Sequence, residues 1–264
     1  MRFEGQTVWI TGASSGIGAA LAVAFAAEGA RVLLSGRRAD ALAEVAANCP
    51  GSSTLAFDTT DFAALPGIAE QAAGLTGKID ILVNNAGISQ RSLALDTGFD
   101  VYRKVMEVDF FAPLRLTQLV LPAMVAAKSG RIVNIASVAG KIGSPLRTGY
   151  CAAKHAMIGW SDALRAEIVQ YGVAVHVVTP GFVRTSVALN AIQGDGSTRG
   201  RDDPAIEAGV SPESAAATIL DGIASGTREI VVGDGPEMGL VALRGSDPGR
   251  LFDMMAGFAP VVAR

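Results

Sequence analysis

The sequence predicts an α/β fold, a doubly wound parallel sheet with helices on both faces, and three observations lead there. Short apolar, β-branched runs alternate with longer Ala-rich stretches of helical period. The strand candidates are near-continuous apolar runs, as in Ile79-Asp80-Ile81-Leu82-Val83 and Val173-Ala174-Val175-His176-Val177-Val178, which is the pattern of a strand covered on both faces. The chain has 264 residues, 50% hydrophobic and 18% charged, so a single domain spanning 1–264 can bury a large continuous core and disorder is excluded.

Thr7–Ile10 reads as the first strand, followed by a helix from about Ser15 to Glu28 and a second strand, Arg31–Ser35. Strands are expected next at Thr54–Phe57, Ile79–Asn84, Arg131–Ala136, Val173–Thr179 and Glu229–Val232, with helical patterns between most of them and right-handed crossovers. After the sixth strand the alternation is interrupted by the polar stretch Gly194 to Pro204, within a segment 186–210 expected to be a mobile functional loop. A C-terminal extension, 236–264, is apolar and glycine-dotted, and its Leu251, Phe252, Met254, Met255 and Phe258 suit an amphipathic helix.

Composition narrows the function. With 22 Lys+Arg against 25 Asp+Glu and a pI near 5.5 there is no basic field for nucleic acid. Cys49 and Cys151 are too few for a disulfide framework and have no metal-ligand spacing with His155 and His176, so a cytoplasmic location and no metal are expected. No signal peptide and no transmembrane span are expected, because apolar runs such as Ala19–Ala27 fall short of the ~20 residues a spanning helix needs.

Thr11-Gly12-Ala13-Ser14-Ser15-Gly16-Ile17-Gly18 follows the first strand and opens the first helix, the context in which a glycine-rich loop holds a diphosphate. Gly12 permits the turn, Gly16 admits close backbone approach and Gly18 lets the helix pack near the sheet. With Ser14, Ser15 and Ile17 they form a candidate dinucleotide cradle of Rossmann type. Where such folds place an acidic residue on the ribose 2'-hydroxyl, the second strand here ends in Arg37-Arg38, so NADP(H) is favoured over NAD(H). Asp58 and Thr59 at the third strand end, and Asn85-Ala86-Gly87 at the fourth, either line the adenosine pocket or are ordinary turn formers.

Ser137 ends the fifth strand, while Tyr150 and Lys154 lie one helical turn apart on one face of a helix beginning near Tyr150. A free phenol, with a pKa near ~10, is a poor acid–base catalyst at neutral pH, and an adjacent ammonium favours its phenolate form. Ser137 would hold a substrate oxygen while Tyr150 exchanges its proton.

Taken together, Gly12, Gly16 and Gly18, then Asn84-Asn85-Ala86-Gly87, Ser137, Tyr150-Cys151-Ala152-Ala153-Lys154 and Pro180-Gly181-Phe182-Val183-Arg184-Thr185, the chain resembles the short-chain dehydrogenase/reductase family over nearly all of residues 5 to 232. Gly149–Ala156 and the Asn190–Ser197 segment look most like its dehydrogenase/reductase member seven branch, B paralogue included. The resemblance implies that Tyr150 is the acid/base, that Ser137 orients the carbonyl, and that Lys154 assists the tyrosine and bonds the nicotinamide ribose. It further implies that Pro180, Gly181, Val183 and Thr185 meet the nicotinamide, that 186–210 closes over substrate, and that the protein is a homodimer or homotetramer.

Two positions depart from the family pattern. Asp109 stands where the family usually has asparagine, which implies that a proton relay through its backbone carbonyl survives while its electrostatics change. Gly233-Asp234-Gly235-Pro236 continues into the extension instead of ending in a tetramer-packing Gly-Gly segment. The expected activity is interconversion of a carbonyl and an alcohol on a small, hydrophobic substrate, with a nucleotide-binding regulatory or scaffold protein and a non-redox epimerase or dehydratase as alternatives. His155, His176, Trp9, Trp160, Met254, Met255 and Phe258 are read as structural, with peripheral membrane contact through the C-terminal tail left open.

Overall fold

A computed structural model describes residues 1–260; the last four residues of the expected C-terminal extension lie outside the described residues. In chain order the elements are β1 (Thr7–Thr11), α1 (Gly16–Ala27), β2 (Arg31–Gly36), α2 (Ala39–Ala46), β3 (Ser53–Ala56), α3 (Leu65–Thr76), β4 (Ile81–Asn84) and α4 (Phe99–Met106). A π-helical turn, Glu107–Phe111, leads into α5 (Ala112–Ala127), then β5 (Gly130–Ile135), α6 (Thr148–Ile168), β6 (Val173–Pro180), the short α7 (Pro204–Glu207), α8 (Pro212–Ala224), β7 (Glu229–Val232), α9 (Pro236–Ser246) and α10 (Pro248–Gly257). The seven strands form one sheet in the order β3-β2-β1-β4-β5-β6-β7, every neighbouring pair parallel.

The apolar strands follow from a sheet buried on both sides. Side chains alternate across a strand, so Val8, Ile10, Val32 and Leu34 enter the core beneath α1 and α8. Trp9, Leu33, Leu82 and Ile132 enter the opposite core, with Leu116 and Val120 of α5 and Leu164 of α6. Trp9 is fully buried, and its indole N–H donates to Ser35 Oγ at 2.9 Å, which satisfies its one polar atom.

The sheet order reverses direction between β1 and β4, and the crevice at their carboxyl ends is where such sheets bind ligands. One apolar stretch is longer than the sequence suggested. Phe99–Ala127 forms 29 continuous helical residues, long and apolar enough by length and composition to cross a membrane. Its Leu116, Val120 and Met124 are buried in the core, and the fully buried Asp109 interrupts its apolar character.

The 186–210 segment meets the body of the fold through Gln90, which bridges Ile192, and Val183, which bridges Val210, and within it Ile192 bridges Thr198. Two other expectations change. Met254 and Phe258 are not packing residues. They are 38% and 64% exposed, and of the α10 apolar set only Leu251 is buried. The Tyr150 helix starts at Thr148, two residues earlier than read from sequence.

Candidate active site

Each strand entering the crevice ends in residues that tie it to its neighbour. Gly12 has φ +65°, and a Cβ there would meet Ala86 Cα at 2.8 Å, so only glycine lets the β1 and β4 turns close together. Thr11 Oγ1 accepts N–H bonds from Asn85 at 3.0 Å and Ala86 at 3.1 Å. Asn85 Nδ2 returns bonds to the carbonyls of Thr11 at 3.0 Å and Gly12 at 3.2 Å. Asn85 is thus a clamp on the glycine loop. Gly18 acts differently from the sequence reading: a Cβ there would run into the Gly12 carbonyl and the Asn85 amide, so it packs on the loop itself.

The loop suits a dinucleotide diphosphate. Ser15, the N-cap of α1, makes no side-chain cap bond, and the first turn carries no acidic residue, so its backbone N–H groups are left for an anion. Gly16 has φ +56° and faces the Thr185 methyl, 3.1 Å from where a Cβ would be, so Gly16 and Thr185 bracket one opening. Ser14 Oγ receives a bond from Arg38 Nη2 at 3.3 Å, which draws that arginine over the loop. Arg37 beside it is exposed at the end of β2.

Asp58 is exposed and Thr59 buried. Asp58 Oδ1 accepts from the Thr60 N–H at 2.9 Å and hydroxyl at 2.7 Å, an Asx turn. Burial opposes its ionisation, but the Thr60 bonds and the nearby Arg37 and Lys104 charges hold its carboxyl below the usual range.

On the other side of the crevice, Lys154 is the center of a buried column. Its Nζ donates to the Ile135 carbonyl at 3.1 Å, stands 3.2 Å from Asp109 Oδ2 and lies 5.6 Å from the centroid of the Tyr150 ring. Asp109 is fully buried on the π-helical turn, where its Oδ1 accepts the Ile88 N–H at 2.8 Å. The turn persists without an amide donor because the carboxylate takes a donor from the β4 loop and an ion pair from α6. Burial opposes both charges: it raises the Asp109 carboxyl, which the Lys154 ammonium and the Ile88 N–H pull back down, while Lys154, itself opposed by burial, is held above its ordinary value by facing Asp109 and Tyr150. Gly87 lies beside them; a Cβ there would sit 3.4 Å from Asp109 Oδ2 and 3.5 Å from Lys154 Nζ.

Ser137 begins a one-turn helix, and its Oγ accepts the Ala139 N–H at 3.1 Å. That bond occupies a lone pair and leaves the hydroxyl hydrogen for another acceptor. Pro180 ends β6, Val183 is buried, and the Gly181 N–H donates to the Val232 carbonyl at 2.9 Å, fixing the turn that carries Thr185 toward Gly16.

Residues 6–195 match the family model for short chain dehydrogenases. The chain belongs to the short-chain dehydrogenase family. The chain is 40% identical over 262 residues to dehydrogenase/reductase SDR family member 7B of Bos taurus, covering 96% of this chain and 81% of that protein. It is 41% identical over 238 residues to a family protein 7-like relative of Anopheles gambiae, covering 87% of this chain and 75% of that one. Among solved structures, a short-chain dehydrogenase/reductase from Burkholderia phymatum in complex with NAD shares the fold at TM-score 0.84 and 24% identity, over 94% of this chain and 95% of that chain. A metagenomic short-chain oxidoreductase in complex with NADP aligns at TM-score 0.71 and 29% identity, over 88% and 98%.

In this short-chain dehydrogenase several site-supporting residues escaped the sequence reading. Asn84 Nδ2 donates to Asn134 Oδ1 at 2.8 Å and to Thr117 Oγ1 at 3.0 Å, and Asn134 Nδ2 donates to Ser161 Oγ at 2.8 Å. This buried polar chain ties the ends of β4 and β5 to α5 and α6, and two asparagines on adjacent strand ends were its available signal. Glu237 is 6% exposed at the start of α9 and accepts the Phe182 N–H at 2.9 Å, so the C-terminal extension braces the Pro180–Thr185 turn. His155 Nδ1 pairs with the Cys151 carbonyl at 2.8 Å and His176 Nδ1 with the Thr227 carbonyl at 2.7 Å, both structural bonds.

Proposed function

We propose that this oxidoreductase is NADP(H)-dependent and interconverts a carbonyl and an alcohol by hydride transfer, with Tyr150 as acid/base. The observation that carries the reading is the column in which Asp109 and the Ile135 carbonyl hold the Lys154 ammonium over the Tyr150 ring. A cation fixed there stabilises negative charge on the phenol oxygen as its proton leaves, and it need not reorganise at that moment. In reduction Tyr150 gives its proton to the substrate oxygen, and Ser137, oriented by the Ala139 N–H, donates a second hydrogen bond to that oxygen.

Bound nicotinamide supplies the hydride in reduction and accepts it in oxidation. The glycine loop and uncapped α1 would hold the diphosphate, and the Gly181–Thr185 turn the nicotinamide end. Arg37 and Arg38, at a β2 end without a carboxylate, favour a 2'-phosphate. The apolar residues of α10 favour a hydrophobic substrate: Leu251, Phe252 and Met255, with Gly143, His155 and Arg244, line a cavity of about 340 Å³ against the α6 side.

Tyr150→Phe tests this directly. NADPH binding, followed by fluorescence, is expected to persist, while reduction of carbonyl substrates drops at least about 10²-fold. Retained turnover refutes the tyrosine's role. Turnover without net change at the reduced-nicotinamide absorbance assigns the site to a non-redox reaction instead.

A further inference from the structure

The lid and the start of α6 meet along one strip of chain, Ser89 to Ser92. The Ile192 N–H donates to the Ser89 carbonyl at 2.8 Å, and the Arg91 N–H to the Ile192 carbonyl at 2.9 Å. From the strip's other side the Gly149 N–H donates to Gln90 Oε1 at 2.7 Å, while the Ser92 N–H donates to the Leu146 carbonyl at 3.0 Å. Leu146 has φ +66°, a left-handed conformation rare for a branched side chain, and it sets the direction of the next residue, Arg147, the N-cap of α6.

Around this strip stand Arg91, Arg147 and Asp203, with Arg199 brought alongside by its N–H bond to the Ala191 carbonyl at 2.8 Å, next to Ile192. Arg91 forms an ion pair with Asp203, and Arg147 reaches the same carboxylate at 3.7 Å, with side-chain exposures of 17% for Arg91 and 15% each for Arg147 and Asp203. Arg199 makes no ion pair among the described residues. Its Nη1 is buried without an acceptor, as is Arg147 Nε. Burial and the charges of Arg147 and Arg199 push Arg91 down to about 10. Asp203 is one carboxylate shared by two guanidinium groups, Arg91 close and Arg147 at 3.7 Å, and Arg199 adds a third. The buried donors left over on Arg147 and Arg199 are a cost to the fold unless an anion completes them.

We propose that Arg147 and Arg199 form a subsite for an acidic group of the substrate, a carboxylate or a phosphate, held beside Tyr150 while its carbonyl is reduced. The position fits, since Arg147 is the N-cap of α6 and lies about one helical turn before Tyr150. The guanidinium fork suits the chemistry, since it binds carboxylate and phosphate oxygens bidentately. A substrate with an acidic end and an apolar body would then use both the arginine cluster and the apolar α10 wall. This inference rests on the oxidoreductase reading above.

The test uses the full chain saturated with NADPH, so that the dinucleotide's own phosphate sites are filled. Inorganic phosphate is titrated calorimetrically onto wild type, Arg199→Gln and Arg199→Lys. In parallel, kcat/KM is compared for laevulinate and its uncharged methyl ester. Arg199→Gln is expected to weaken phosphate at least about 10-fold and lower the acid-to-ester ratio by a similar factor, with Arg199→Lys recovering most of both. Unchanged phosphate affinity and an unchanged ratio in Arg199→Gln overturn the proposal and leave the cluster as a lid clasp. Phosphate binding lost in Arg199→Gln, with no carbonyl of a broad panel reduced by wild type, keeps the anion site and overturns the oxidoreductase reading.

Discussion

On the cofactor side of the crevice, the glycine loop is held by Thr11 and Asn85, residues at the ends of the adjacent strands β1 and β4, whose side chains bond the neighbouring backbone at 3.0 to 3.2 Å. On the substrate side, the lid is held by backbone bonds of Ile192 to Ser89 and Arg91 and, in addition, by charged side chains from distant parts of the chain, Arg91, Arg147 and Asp203. Short ties onto the backbone at neighbouring strand ends accept few sequences, because glycine is required where the chains close at Gly12. Side-chain ties between loops can be redrawn residue by residue. One side can therefore be common to a family while the other is specific to each substrate. The Asp109–Lys154 pair joins the two, since Asp109 bonds the β4 loop and Lys154 reaches from α6.

The comparison is broken most severely at that joint. Asp109→Ala leaves a buried ammonium without its counter-ion and is expected to cost about 3–5 kcal/mol, read as a lowered denaturant midpoint. Asp109→Asn keeps the shape and is expected to cost less. Because the carboxylate holds Lys154 above its ordinary value, its loss lets the ammonium deprotonate at lower pH, so the alkaline limb of the kcat profile should move to lower pH. Superimposable profiles for wild type and Asp109→Asn would show that the carboxylate does not reach the chemistry.

A change confined to the cofactor side comes next. Arg37→Ala is expected to weaken NADPH about 10- to 100-fold, the loss of a charge-assisted bond, and NADH far less. Equal weakening of both would mean that Arg37 does not read the 2'-phosphate.

The smallest effect is expected on the substrate side. Asp203→Asn removes the carboxylate shared by Arg91 and Arg147 and should lower local stability by about 1–2 kcal/mol. Hydrogen exchange is the measurement, with faster exchange at the Arg91 and Ile192 amides and unchanged rates in β1 and β4. Faster exchange everywhere would show that the lid is part of the global folding unit.

What could be read in advance follows the same division. The central strands were visible because burial on both faces demands unbroken apolar runs, the edge strands β3 and β7 show alternating exposure instead, and the glycine loop was visible because its positive φ values and close approaches exclude other residues. Asp109 stood out because it replaces the asparagine usual in the family, and the resemblance already set it near Lys154; the direct ion pair and the bond from the Ile88 N–H became visible only in the folded chain. The lid's anchorage was missed because Arg91, Arg147 and Asp203 each resemble an ordinary surface charge until the fold brings them together. Met254 and Phe258 were misread for the reverse reason: apolar type favours burial, but α10 buries only Leu251.

The sequence by itself determined the parallel sheet, the glycine loop between β1 and α1 and the order of Ser137, Tyr150 and Lys154, because hydrophobic period, glycine geometry and helical spacing are local properties of a chain. Only the tertiary structure decided which charges are paired, which donors are left buried without partners and what the lid rests on. Electrostatic energy depends on distance and burial between groups far apart in the chain, and those are known only once it has folded.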